Sequence, residues 1–368
     1  SHRNLLINGD MQISQRGNLT VSNSNASRQY GGPDRFHQYY YSRGEEARDN
    51  YNQGGFNDSP FEQGFTNVAH IDVTTADTSI HQDHAIWTSQ RVEAYNASHL
   101  KYGHSDAVSV TLSFWIKSTI TGTYSICYNH TNMDERYITT YTVNVANTWE
   151  KKTITIPGDT RSGKNISPSN GYGLEVKWVW MSGTNRVATP NTWATQGNKY
   201  GASGVTLANI FSSTSNNLYL TGCQLEVGSV ATPFEHRSFG DELRRCQRYY
   251  YMHHNTSKTG TEGNYRVACL GFSSGSTEVT GHIFFPVTMR ANPSIDANSG
   301  VVGGIGYWRI GGGSFGGDKY IDGAWSVASP TTRSTRIYAT PRTSLSQGVC
   351  GYIDGRNTAS YMAFSAEL

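Results

Sequence analysis

The sequence predicts an all-β fold: an antiparallel β-sandwich, a short helical linker and a second, smaller β domain. Three observations carry that expectation. Charged residues are only 16% of the chain, and 39 glycines and 23 tyrosines stand where a helical protein would carry Leu/Ala/Glu/Lys runs, so short strands and many turns are favoured. Residues 107–117 alternate, with Val108, Val110, Leu112, Phe114 and Ile116 on one face and Ser109, Thr111, Ser113, Trp115 and Lys117 on the other, the period of a half-buried strand. Residues 218–251 pass from an alternating strand through a proline-bounded link into a short polar helix, which reads as the end of one domain and the entry to another.

Taken in order, residues 4–13 read as a first strand, and an Asn/Ser-rich loop runs on to Gly32. Residues 36–42 are an aromatic-rich strand. Residues 45–66 are polar, rich in Gly and Asn and without period, so a long surface loop is expected. Strands follow at 86–94, 107–117, 123–128, 137–145 and 151–156, then a loop at 161–171. Leu174, Val176, Trp178 and Trp180 alternate along another strand and are expected to pack in the core; 184–203 is again loop. Short strands with turn signals and no helical period between them argue for two packed antiparallel sheets.

In the strand at 218–227, Tyr219, Thr221, Cys223 and Leu225 fall on one side and Leu220, Gly222 and Gln224 on the other. Thr232-Pro233 then ends regular structure, because proline restricts the preceding residue and lacks an N–H. Asp241-Glu242 precede Arg244, Arg245 and Arg248, an order that suits the dipole of a short helix. The expected domains are therefore 1–238, a linker at 239–252, and 253–368. In the last, strands are expected at 265–272, 278–288, 335–339 and 360–365, with a glycine-rich stretch at 300–323 between them. Residues 359–368 read as a free-ending strand, paired within its own sheet or with a neighbouring chain.

Several function classes are excluded. A net charge of +2 offers no broad basic field for nucleic acid. No apolar run reaches membrane-span length, so no membrane insertion is expected. The chain starts Ser1-His2-Arg3, without methionine or an apolar signal core, as expected of a processed chain. Five scattered cysteines form no CxxC pair; free, mostly buried thiols from a reducing cytoplasm are expected. Gly271-Phe272-Ser273-Ser274-Gly275 matches GxSxG, but a strand rather than a helix follows, so a hairpin turn is read in place of a nucleophile elbow. His81 and His84 have ligand chemistry without a helical pattern to put both rings on one metal. Adjacent pairs such as Asp134-Glu135 point to opposite strand faces and make no glycosidase pair. The glycines of 300–323 precede no helix that could hold a phosphate. No catalytic residue, cofactor or metal is assigned.

The segment QLEVGSVATPFEHR at 224–237, followed by ELRRCQRYY at 242–250, resembles virion proteins of tailed bacteriophages in which such a segment closes a carbohydrate-binding-type jelly roll. Residues 4–11 (NLLINGDM), 33–36 (PDRF), 110–118 (VTLSFWIKS) and 147–158 (NTWEKKTITIPG) extend the resemblance, in order, over most of 4–251. It implies a jelly roll, a virion location after assembly in the host cytoplasm, other virion proteins as partners, and a homotrimer. Trp115 belongs to a shared segment and is read as structural. Jelly rolls of this kind often hold a structural calcium between first and last strands; Asp10 and Glu226 stand near there, but their neighbours lack further acidic residues, and calcium stays unassigned.

Binding is what remains. Sugars are recognised by aromatic faces with polar groups fixing the hydroxyls. Trp87, Tyr128, His130 and Arg136 lie where the strand pattern is less regular, and are candidates. Tyr307, Trp308, Tyr320 and Trp325 lie in or beside glycine-rich segments and are expected to be displayed for contact. The expected function is a tail-fibre or appendage protein that binds a host-surface polysaccharide without cleaving it. The alternatives are a purely structural capsid or tail decoration protein and, behind it, a polysaccharide-degrading tailspike.

Overall fold

A computed structural model describes residues 3–20, 28–41, 47–130, 134–255, 266–302, 305–312, 319–355 and 360–368. The chain divides into two compact units, and the division falls inside its α-helix, Phe239–Gln247, between Glu242 and Leu243. Each unit is built on antiparallel sheets.

The first unit is a β-sandwich. One sheet has six strands in the spatial order Leu19–Thr20, Arg48–Gly54, Val68–Thr75, Asn217–Val227, Val110–Ser118 and Glu150–Ile156. The other has seven: Trp193–Thr195, Glu135–Val143, Gly122–His130, Tyr172–Ser182, Ala85–Glu93, His37–Tyr41 and Arg28–Tyr30. The alternating residues behave as the sequence predicts. Leu112, Phe114 and Ile116 face Leu174, Val176, Trp178 and Trp180 in one core, with the Phe114 and Trp178 rings edge-on at 5.8 Å. The Trp180 indole N–H donates to Thr88 Oγ1 at 2.7 Å, so its polar atom is satisfied inside the core.

Five readings of this unit need correction. Residues 4–13 form no regular strand. Asn8 and Met11 have φ of 59° and 61°, because the Asn8 side chain bonds Ile13 N, Ile13 O and Asp34 O and folds the chain into a tight local turn. The segment still joins the last strand through Leu5 N to Leu225 O and Cys223 N to Gly9 O, both 2.8 Å. The expected loop at 45–66 contains the strand Arg48–Gly54, paired on both edges; its inward face shows only Tyr51 as a large apolar residue, beside Asp49. Val68–Thr75 is a strand that the sequence reading leaves out. In 184–203, three two- or three-residue strands stiffen the expected loop.

The fifth correction concerns the last strand. Its alternation does not run through: Leu218 and Leu220 face the core, and so do Cys223 and Leu225. The register skips between Thr221 and Gln224, which is a β-bulge. Gly222 makes it possible, with φ of 62°. A Cβ there would stand 2.6 Å from the Phe65 ring and 3.0 Å from the Trp115 ring. Trp115 is thus held against the bulge.

Buried Asp49 sets a pH dependence. Burial raises its carboxyl from 3.8 to about 7, and Asp72 adds to this, against the hydrogen bond from the Tyr40 hydroxyl. A raised carboxyl favours the folded state fully below pH ~4, and that contribution is lost as the pH climbs through about 7. Asp49→Asn is therefore expected to melt above the wild type at pH 8, with the advantage shrinking toward pH 4. Parallel melting curves at both pH values check it; an equal gap at both would refute it.

The second unit holds a seven-stranded sheet, ordered Lys319–Ile321, Trp308–Gly311, Cys350–Gly355, Arg266–Ser273, Val279–Phe284, Ser334–Ala339 and Ser326–Ala328, and a three-stranded one of Tyr250–Asn255, Tyr361–Ser365 and Ser294–Ala297. Trp308, Ile310, Ile337, Ile353 and Phe364 form its core. Tyr361–Ser365 is the central strand of the smaller sheet, so the free-ending strand expected at 359–368 pairs within its own domain. The GxSxG stretch lies at the turn of the hairpin made by Arg266–Ser273 and Val279–Phe284. The glycine-rich stretch carries strand Trp308–Gly311; Phe315, within it, lies outside the described residues.

Candidate functional site

Strand alternation gives the seven-stranded sheet of the first unit a second face, turned away from the sandwich core. On Ala85–Glu93 it carries Trp87, Ser89 and Arg91; on His37–Tyr41, Tyr39 and Tyr41; on Tyr172–Ser182, Glu175 and Lys177; on Glu135–Val143, Arg136. The chain from Val187 to Ala202 folds back over part of this face. There Ala202 N bonds Ser125 Oγ at 2.9 Å, Tyr200 N bonds Arg186 O at 2.7 Å, and Arg136 donates to the Lys199 carbonyl. What remains open is a cavity of about 170 Å³. That is smaller than the ~300–1,000 Å³ of sites for drug-sized ligands, and it suits one sugar ring or one substituent.

Three of the four rings that line the cavity pack side by side. Tyr39 stacks on Trp87 with centroids 4.5 Å apart, and Tyr200 stacks on the other side of Trp87 at 4.3 Å. Trp87 is only 3% exposed, covered by the two tyrosines stacked on it. The Arg136 guanidinium sits over Tyr200 at 4.7 Å.

Beside the rings lies an ion cluster. Glu175 accepts from Ser89 Oγ at 2.7 Å, Lys177 Nζ at 2.9 Å and Arg91 Nε at 3.3 Å, and Lys177 also donates to Asn129. Burial alone would raise the Glu175 carboxyl; Lys177 and Arg91, with the Ser89 hydrogen bond, outweigh it and hold the carboxyl far below the usual carboxylate range. Burial also lowers His37 well below its ordinary value, so at neutral pH it serves Ser89 as a hydrogen-bond partner at 2.9 Å without charge. Glu175 is therefore a fixed anion that cannot carry a proton to a leaving group.

The cluster leaves donors over. Arg28, Arg91, Arg136 and Lys177 line the cavity against two carboxylates, Glu175 and Asp134. Among the described residues, neither Arg28 nor Arg136 has a carboxylate within ion-pair distance, and the buried Nε of Arg28, Nε of Arg136 and Nε1 of Trp87 have no hydrogen-bond partner. Each such buried donor costs about 1–3 kcal/mol when left unmet.

Of the expected ligand residues, Trp87 and Arg136 meet in this cavity. The others do not. Tyr128 faces the sandwich core, where its hydroxyl meets that of Tyr102 at 3.1 Å. His130 is buried against Asp159 at 3.0 Å, and Arg161 bridges Asp159 to Glu135; burial lowers its imidazole despite Asp159. Both are structural, because strand parity turns even-numbered residues of Gly122–His130 inward. Trp308 and Trp325 were expected on display but pack edge-on at 5.9 Å inside the distal core: Trp308 lies on a regular strand, where the glycine-rich composition suggested loose backbone. Tyr307 and Tyr320 are half-buried, Tyr320 beneath Arg342 at 5.4 Å, and no described cavity joins them. Sequence reading missed Tyr39, Tyr200, Arg28, Arg91, Glu175 and Lys177.

A second, more open groove of about 550 Å³ lies around Arg3, His99, Glu226 and Val230, with no Trp, Tyr or Phe in its wall. Glu226 is engaged there by Thr232 and Gln224. Asp10 accepts from Gln12, and burial and nearby Glu242 raise its carboxyl. Among the described residues no three His, Cys, Asp or Glu side chains converge as a metal site requires.

No protein-family model and no curated protein matches the sequence. Solved structures resemble it at low similarity. The enzymatically active domain of tailspike protein 4 from bacteriophage CBA120 shares 12% identity at a TM-score of 0.31, over 61% of this chain and 21% of that one. A family 11 carbohydrate-binding module from Clostridium thermocellum shares 12% at 0.26, over 59% and 98%. A cyclase from Fischerella sp. shares 11% at 0.31, over 59% and 99%. This chain thus spans about a fifth of the tailspike chain it resembles. At such similarity a function has to be argued from the site itself.

Proposed function

We propose that the protein is a tail-fibre or appendage component of a bacteriophage virion that binds a host-surface polysaccharide without cleaving it, through the outer face of its seven-stranded jelly-roll sheet. The observation that carries this reading is the cavity's make-up: Tyr39, Trp87 and Tyr200 packed side by side, with charged and polar groups converging beside them. Aromatic surface with a few placed polar groups is how weak, specific sugar sites are built. Absence of cleavage is supported by the state of Glu175. A glycosidase needs one carboxyl able to hold a proton and a second opposed to it across the sugar, and Glu175 is locked in its ionised form by Lys177 and Arg91. A trimeric fibre, as the resemblance to phage virion proteins implies, would multiply such small sites into useful avidity.

A purely structural decoration protein is the second reading, and one observation favours it. Leu270 and Phe284, 79% and 73% exposed, share the outer face of the distal sheet with Phe272, apolar surface of the kind that neighbouring virion proteins cover. Binding of the full chain to a panel of bacterial surface polysaccharides, with the polymer length followed in the same samples, separates the readings. Saturable binding with unchanged polymer is expected. Released oligosaccharides would establish an enzyme, and absence of binding to every host glycan and to host cells would leave the decoration protein.

A further inference from the structure

Among the described residues, the cavity's unmet groups are all of one kind. Arg28 Nε, Arg136 Nε and Trp87 Nε1 are buried donors without partners, and no cavity-lining acceptor is in that position. Glu175 is spoken for by Lys177, Arg91 and Ser89. Arg136, 5% exposed, spends one nitrogen on the Lys199 carbonyl and its face on Tyr200, and among the described residues no carboxylate lies within ion-pair distance of it. A neutral sugar offers hydroxyls, which donate as readily as they accept. An anionic substituent offers acceptors only, and a guanidinium is shaped to hold it through two parallel bonds.

Resting on the carbohydrate-binding reading, we infer that this cavity is a subsite for an acidic sugar, with Arg136 and Arg28 as the groups that receive its anionic substituent and the Trp87 N–H beside them. The ring of the sugar lies against Tyr39 and Tyr200. The anion is a carboxylate, as on a uronic acid; a sugar phosphate presents the same acceptor chemistry and is kept as a separate arm of the test.

The test is ligand-observed NMR on the full chain with methyl galacturonoside and methyl glucuronoside, their neutral galactoside and glucoside parents, and galactose 6-phosphate. The uronides are expected to bind at least about tenfold more tightly than their parents, a margin that salt reduces. Arg136→Gln is expected to remove the margin, so that on the variant the uronides bind no more tightly than the neutral parents measured on that same variant. Arg28→Gln, at a half-buried position, is expected to reduce it too, and serves should Arg136→Gln fold poorly. Stronger binding of the sugar phosphate than of the uronides would uphold the anion site and assign it to phosphate. Neutral parents binding as well as the uronides, or a margin that survives both Gln variants, would overturn the inference and leave the carbohydrate reading standing. No binding by any of the five sugars would overturn the inference, and the carbohydrate-binding reading would then rest on the polysaccharide panel alone.

Discussion

Glu175→Ala is expected to destabilise the jelly roll by about 3–5 kcal/mol, the cost of leaving buried charge without its counter-ion. The carboxylate sits between Lys177 and Arg91, all three nearly out of solvent, and its loss takes the counter-ion from Lys177 on a face that the 187–202 segment covers. The effect runs through charge, which a second variant makes visible. Glu175→Leu combined with Lys177→Met removes the tightest pair together and should recover much of the loss, since apolar replacements of whole buried pairs are often close to neutral. Denaturant unfolding of the two single variants and the double variant measures the coupling. Additive losses would show that Glu175 and Lys177 do not act as a pair.

Tyr39→Ala is expected to weaken polysaccharide binding by at least about tenfold, or about 1.4 kcal/mol, with a smaller effect on folding. Tyr39 is half-buried at the opening, so its ring is available to a sugar on one side while it supports Trp87 on the other. Trp87→Phe separates ring from polar atom: stacking with Tyr39 and Tyr200 remains, and the unpartnered N–H goes. Calorimetric titration of each variant, accompanied by its melting temperature, distinguishes lost contact from lost fold.

The sandwich was legible wherever one face of a strand is apolar. Val110–Ser118 and Tyr172–Ser182 are read correctly because Leu112, Phe114, Trp178 and Trp180 mark the core side without ambiguity. Arg48–Gly54 hides because its inward face holds Asp49 as well as Tyr51, and a buried carboxyl looks like a surface one in sequence. The last strand keeps its place but changes parity at Gly222, since a bulge turns on one residue's backbone and leaves no period to detect. The site was harder. Glu175 and Lys177 alternate with apolar residues as solvent-facing residues do, and nothing nearby in sequence says that residues 187–202 return to cover them. Trp87 and Arg136 were found as irregularities; Tyr200 comes from a segment whose role is set entirely by long-range contacts. Trp308 misled for the opposite reason, since glycine-rich flanks suggested display while its own four-residue strand buries it.

The account stands most directly on where a glycan binds. Titration of one polysaccharide bound by the wild type against Tyr39→Ala and Trp87→Phe, both confirmed folded, puts that to the test. Weakened binding in both, with no shortening of the polymer, is the predicted result. Unchanged affinity in both would place the glycan elsewhere on the molecule and contradict the assignment of this cavity.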